Sequence, residues 1–164
     1  MKKLIATFFA VCVCLTVFAF AGCKDENSNG TKSGNVALDV ERVSFTAKAE
    51  VMLLKNDTSV GDYMEVLADN GELTYVINNG FISSFYNTES KVISSTANSY
   101  EGYDWAFYID FKTLDGDDAI YATDYKTYEY GGKTYYSSSN GVDGTPCVEG
   151  HTYLFVYEYS NFSW

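Results

Sequence analysis

The sequence predicts an α+β domain, a mostly antiparallel sheet with one short helix packed on one side. Three observations carry this reading. Apolar residues alternate with polar ones through Val43, Phe45, Ala47, Ala49 and Val51, the period of a half-buried strand. Helical spacing occurs once, at Val60, Tyr63, Met64 and Leu67. Two turn signals, Asn79-Gly80 and Gly131-Gly132, each separate a pair of strand-like runs.

Taken in order, Lys55-Asn56-Asp57-Thr58 breaks the first strand, and Thr58 or Ser59 is placed to cap the helix that Asn70-Gly71 closes. Leu73–Asn78 and Phe81–Tyr86 form a hairpin about Asn79-Gly80, where both turn residues need positive φ. The polar stretch Asn87–Gly102 reads as an exposed loop. Asp104–Phe111 is the next strand, with Trp105, Phe107, Ile109 and Phe111 on one face. Ala119–Tyr136 is a second, extra hairpin about Gly131-Gly132, and Ser137–Gly150 connects it to the last strand, Thr152–Glu158. That strand is apolar on both faces (Tyr153, Phe155 and Tyr157 against Leu154 and Val156), which predicts a central position in the sheet. No period of ~20–50 residues recurs, so the chain is not a repeat array.

The chain has 164 residues, enough for one domain and its flanking segments. Its 22 acidic and 11 basic residues give a formal charge of −11, which removes the basic footprint that nucleic-acid phosphates require. The first 22 residues divide from the rest. Lys2 and Lys3 precede the uncharged apolar run Leu4–Ala21, and Ala21-Gly22-Cys23 ends it in the manner of a secretory signal peptide. The ending resembles the lipobox of bacterial lipoproteins, which implies cleavage before Cys23, a lipid on that cysteine and an extracytoplasmic domain held to the cell membrane. An uncleaved membrane helix is the alternative, since Leu4–Ala21 approaches the ~20 residues that span a bilayer. Residues 24–35, KDENSNGTKSGN, contain no large apolar side chain and read as a flexible tether, leaving 36–164 as the folded domain. Cys12 and Cys14 leave with the leader, so Cys147 is the one thiol remaining after acylation. The fold then rests on its core and not on disulfides.

The order of elements resembles a known family. The capped segment TSVGDYMEVLADNG, the hairpin around NGFISSF, Trp105-Ala106-Phe107-Tyr108, the run Gly141-Val142-Asp143-Gly144-Thr145-Pro146 and Gly150-His151-Thr152-Tyr153 together are similar to the transcobalamin-like C-terminal domain, over Val43–Tyr159. The resemblance implies a β-grasp-like sheet with one helix. It implies no catalytic residue, and neither a cofactor nor a metal is expected. In vitamin B12 carriers such a domain closes over a corrinoid, so a corrinoid is the first ligand it suggests, as ligand and not as cofactor. The expected function is a non-enzymatic binding module, with a transporter or a larger corrinoid-binding protein as partner. A surface module that binds a protein or a glycan is the alternative.

The candidate ligand-binding residues are Tyr121, Tyr128, Tyr130, Tyr135 and Tyr136 of the second hairpin, where Tyr125 also falls. Tyrosine offers large contact area at low rotamer cost and a hydroxyl for hydrogen bonding. The same residues equally satisfy strand propensity and cross-strand pairing. Trp105 reads as core, although its ring could stack on a ligand. Asp115-Gly116-Asp117-Asp118 lacks the spacing of a calcium loop and reads as a solvated turn. His151, the one histidine, has no second histidine with which to form a metal site, and Cys147 four residues before it reads as a small buried apolar side chain.

Overall fold

The structure, a computed structural model, describes residues 36–39, 41–52, 58–78 and 81–164. The signal segment, Cys23, the tether, the Lys55–Asp57 break and the Asn79-Gly80 turn lie outside the described residues. The α+β class with a mostly antiparallel sheet holds.

The chain runs β1 (Ala37–Asp39), β2 (Arg42–Thr46), α1 (Ala49–Met52), α2 (Val60–Asp69), β3 (Tyr75–Asn78), β4 (Phe81–Phe85) and β5 (Thr88–Glu89). It continues β6 (Lys91–Thr96), β7 (Ser99–Ile109), β8 (Ala122–Tyr130), β9 (Lys133–Ser138), α3 (Gly141–Gly144) and β10 (Thr152–Ser163). Seven strands form one sheet in the order β1-β2-β10-β7-β9-β8, with β6 also paired to β7, and β3-β4-β5 form a second. Every strand pair is antiparallel. As its two apolar faces predict, β10 is central, between β2 and β7.

The first face of the large sheet carries Val43, Phe45, Trp105, Ile109, Tyr153 and Phe155, and α2 with part of the small sheet covers it. Helix α2 starts cleanly because Ser59 and Asp62 form a reciprocal cap: Ser59 Oγ accepts from the Asp62 N–H at 3.1 Å, and Asp62 Oδ2 accepts from the Ser59 N–H at 3.0 Å. Its inward residues Tyr63, Met64 and Leu67 are fully buried, and the Tyr63 ring stacks on Phe45 at 5.4 Å. The opposite face holds a smaller cluster of Tyr108, Tyr135, Leu154 and Val156, against which Tyr128 and Tyr130 pack.

Four expectations need correction. The first strand ends at Thr46 and not at Val51, because the Ala47 N–H bonds His151 O and the Lys48 carbonyl accepts from Val51 and Met52, closing the single turn of α1. Asn87–Gly102 is not a loop: it holds β5, β6 and the start of β7. All six residues of β6 are exposed, so no apolar alternation marked it. Residues 137–150 contain α3, and they are pinned to the start of α2 by Val60 N–H to Thr145 O and Cys147 N–H to Thr58 O. The last strand runs on to Ser163, paired with β7 along its whole extension.

Candidate functional site

Residues of one strand that share a face alternate, and register decides what they meet across the sheet. On β7 and β10 the pairs are Trp105↔Tyr157 and Tyr103↔Tyr159, all on the face that carries partly buried Phe107 and buried Phe155. The rings touch in series. Trp105 meets Tyr157 at 5.3 Å, Tyr157 stacks on Tyr103 at 5.8 Å, and Tyr103 meets Tyr159 edge-on at 5.5 Å. At the inner end Trp105 continues into the core through Phe85 at 4.9 Å. The series thus climbs from buried Trp105 to exposed Tyr103 and Tyr159. Polar groups rim its outer end: the Tyr159 hydroxyl donates to Glu101 at 2.8 Å and accepts from the Asn161 amide at 3.3 Å. The Glu101 hydrogen bond is the main cause raising the Tyr159 phenol above its ordinary pKa, while desolvation is the main cause for Tyr157.

Where the strip meets the core it borders a cleft of about 500 Å3 lined by Leu38, Val43, Phe85, Tyr86, Thr88 and Trp105. Two hydrogen bonds fix this wall. Trp105 Nε1 donates to Thr88 O at 3.0 Å, and the Tyr157 hydroxyl donates to Glu89 O at 2.9 Å. Tyr86 is held there at φ 50°, a left-handed conformation uncommon for a bulky residue. Its N–H bonds Thr74 O at 2.8 Å and its hydroxyl bonds Glu72 O at 2.8 Å, so both ends of the residue are tied down. Strain of this kind costs on the order of 1–3 kcal/mol and persists only where the surroundings over-determine it.

The reverse face of the same ribbon carries a second aromatic group. Tyr100 stacks on Phe162 at 5.2 Å, and Phe162 meets Trp164 at 5.7 Å. Tyr100 folds over Gly102, where an added Cβ would stand 2.6 Å from its hydroxyl, and that hydroxyl donates to Asp104 at 2.8 Å. Desolvation and this carboxylate push the Tyr100 phenol up to about 12.

The five hairpin tyrosines are divided between faces. Cross-strand pairing puts Tyr128 opposite Tyr135, and these two pack with Tyr130 against the smaller cluster. Arg42 lies over the Tyr130 ring at 5.1 Å. Tyr136 is opposite Ile109 and packs with Tyr121 against the main core, its ring under Lys112 at 4.9 Å. The Tyr121 hydroxyl donates to Asp117, whose carboxyl that bond holds below the usual range. Tyr125 sits at the β8 irregularity and is 92% exposed. The hairpin therefore presents no single surface made from all five rings.

Cys147 is buried, and desolvation pushes its thiol up to about 12, far from the range of a reactive thiolate. His151 turns to Asp110, with Nδ1 2.8 Å from Oδ1, and meets the Phe111 ring edge-on at 4.7 Å. The second Asp110 oxygen accepts from the Thr152 N–H at 3.1 Å, so this pair anchors the start of β10. Among the described residues no group of three or more His, Cys, Asp or Glu is placed to hold a metal ion. Sequence reading missed Tyr103, Tyr157 and Tyr159. The alternations Tyr103-x-Trp105 and Tyr157-x-Tyr159 are visible in the chain, but only the register between two distant strands makes them one strip.

The chain matches no protein-family model, no curated protein and no solved structure.

Proposed function

We propose that this chain is a membrane-anchored extracytoplasmic lipoprotein whose domain, β-grasp-like and of the transcobalamin-like C-terminal type, is a non-enzymatic binding module. One observation carries the binding reading: an aromatic strip that runs from buried Trp105 through Tyr157 to exposed Tyr103 and Tyr159 and borders a cleft of about 500 Å3. That volume lies in the range of small-molecule sites, ~300–1,000 Å3. Rings rimmed by the polar groups of Glu101 and Asn161 suit a broad, flat ligand with an apolar face and polar substituents. A corrinoid has that character and would lie across the strip with an edge toward the cleft. The anchor rests on Lys2, Lys3, the apolar run and Ala21-Gly22-Cys23. The β-grasp-like reading is supported by α2 lying across one face of a sheet whose last strand is central.

Calorimetry of the detergent-solubilised chain with cobinamide tests the ligand. Binding is expected, weakened at least tenfold by Tyr103→Ser with Tyr159→Ser. No heat and no spectral change at millimolar ligand would remove a corrinoid from the account. For the anchor, labelled palmitate fed to a bacterial host is expected in the wild-type chain and absent from Cys23→Ala. An unlabelled wild-type chain that starts at Met1 contradicts it.

A surface module that binds a protein or glycan is the second reading. The cluster of Tyr100, Phe162 and Trp164 on the reverse face favours it, because tyrosine and tryptophan anchor protein interfaces.

A further inference from the structure

Strand β7 has two edges, and they are filled differently. Strand β10 pairs with it from Ser99 through Ile109. On the other edge β6 takes Ser99–Tyr103 and β9 takes only Tyr108 and Ile109. Among the described residues no strand pairs with Asp104–Phe107 on that edge. In an antiparallel strand every second residue turns both its N–H and its C=O to the same neighbour. Half of this four-residue stretch therefore directs its backbone groups into the opening, which is ~13 Å long at ~3.3 Å per residue.

The opening has a structural cause on each side. Residues Thr88 and Glu89 are drawn over the face of the sheet by their bonds to Trp105 and Tyr157, so the chain joins the edge only from Lys91. At the other end Ser138 stays paired with Ala122 of β8 while β9 leaves β7, and the Ser138 hydroxyl meets that of Thr145 at 3.1 Å. Beside the opening lies a groove of about 290 Å3, with Phe81, Ile82, Trp105, Ala106, Phe107 and Val142 as its apolar lining and Ser137–Ser139 along one rim. Phe81 is 77% exposed. Ala106, at the middle of the open edge, is partly exposed and offers no side chain that blocks approach.

We propose that this edge accepts an extended basic peptide segment of a partner protein as an added strand, between β6 and β9. Unpaired main-chain donors and acceptors recognise the backbone of an incoming strand, and a pocket for an alternate side chain supplies selectivity. The groove takes one large apolar side chain. Charge decides the partner. The chain carries a formal charge of −11, with Asp104 in the open stretch and Glu101 three residues before it, against the cation Lys91 at the near end of β6. A second copy brings the same charge and is repelled, whereas a segment flanked by lysine or arginine is attracted. Trp105 lines this groove as well as the strip, but strand addition is made by the backbone edge of β7 and ligand stacking by the rings of Tyr103 and Tyr159, so the two tests read different groups.

The test uses the full-length chain in detergent and a capped peptide, Lys-Thr-Leu-Thr-Lys, at millimolar concentration. Hydrogen exchange read residue by residue is expected to slow at least fivefold within Asp104–Phe107. An analogue methylated at its backbone nitrogens is expected to give no protection, and a Leu-to-Ser analogue or the exposed Phe81→Ser variant to bind at least fivefold more weakly. No protection by the lysine peptide, or equal protection by the methylated analogue, overturns strand addition. Equal binding of a peptide with Glu in place of Lys overturns the basic partner. Protection without any peptide, accompanied by a dimer in sedimentation, makes the occupant a second copy and overturns the proposal.

Discussion

Replacing Phe155 with alanine is expected to destabilise the domain by about 3–5 kcal/mol in urea unfolding. Its ring is fully buried on the central strand and is stacked on Phe107 at 4.7 Å. It also meets Phe85 at 4.9 Å and Phe45 at 6.2 Å, so it joins β7, β4 and β2. Truncation leaves a cavity whose walls belong to two sheets and cannot collapse together. Against a typical total of ~5–15 kcal/mol, this loss leaves the variant marginal or unfolded. Phe162→Ala on the same strand is the control. Phe162 is 52% exposed and packs only at the surface, against Tyr100 and Trp164, so its loss is expected to cost about 1 kcal/mol.

Alkaline pH is expected to unfold the domain before its core phenols ionise in place. Desolvation raises Tyr63 from its ordinary 10.0 to about 12 and drives Tyr108 and Tyr153 up as well. Each hydroxyl is engaged: Tyr63 accepts from the Lys48 N–H at 3.1 Å, Tyr108 donates to Glu158 at 2.9 Å, and Tyr153 donates to Pro146 O at 2.9 Å. Below pH 10 both folded and unfolded states hold these protons, and the contribution to stability is fully present. Above it the unfolded chain releases protons that the folded chain keeps, so stability falls as pH rises toward the folded values. Urea midpoints are expected to be flat from pH 8 to 9.5 and to drop steeply beyond about pH 10, with a late cooperative rise in absorbance at 295 nm. A smooth titration of all phenols near 10 with no loss of structure would contradict the burial of these three.

These effects explain which parts of the fold could be read from the chain. Strand β2, helix α2, strand β7 and the core of β10 each bury a face, and burial imposes a period that a sequence displays. Strand β6 buries neither face, so Lys91–Thr96 carries no such mark. The single turn of α1 follows from Lys48, whose carbonyl accepts from Met52 one turn on while its N–H takes the Tyr63 hydroxyl, a partner that only the folded neighbourhood supplies. The tyrosine-rich hairpin stood out by composition, yet which face each ring takes depends on register. Tyr135 and Tyr136 are neighbours in the chain and serve opposite sides of the sheet. The aromatic strip has the same origin. Tyr103 and Tyr159 become one surface only because β10 continues past Glu158 in step with β7.

Aromatic carbon–proton correlation spectra recorded while cobinamide is added to the chain report ligand contact ring by ring. The rings of Tyr103, Trp105, Tyr157 and Tyr159 are expected to shift together with saturable dependence on ligand, while Tyr108 and Tyr135 in the smaller cluster stay fixed. Shifts confined to Tyr128, Tyr130 and Tyr135, with the strip unchanged, would contradict this.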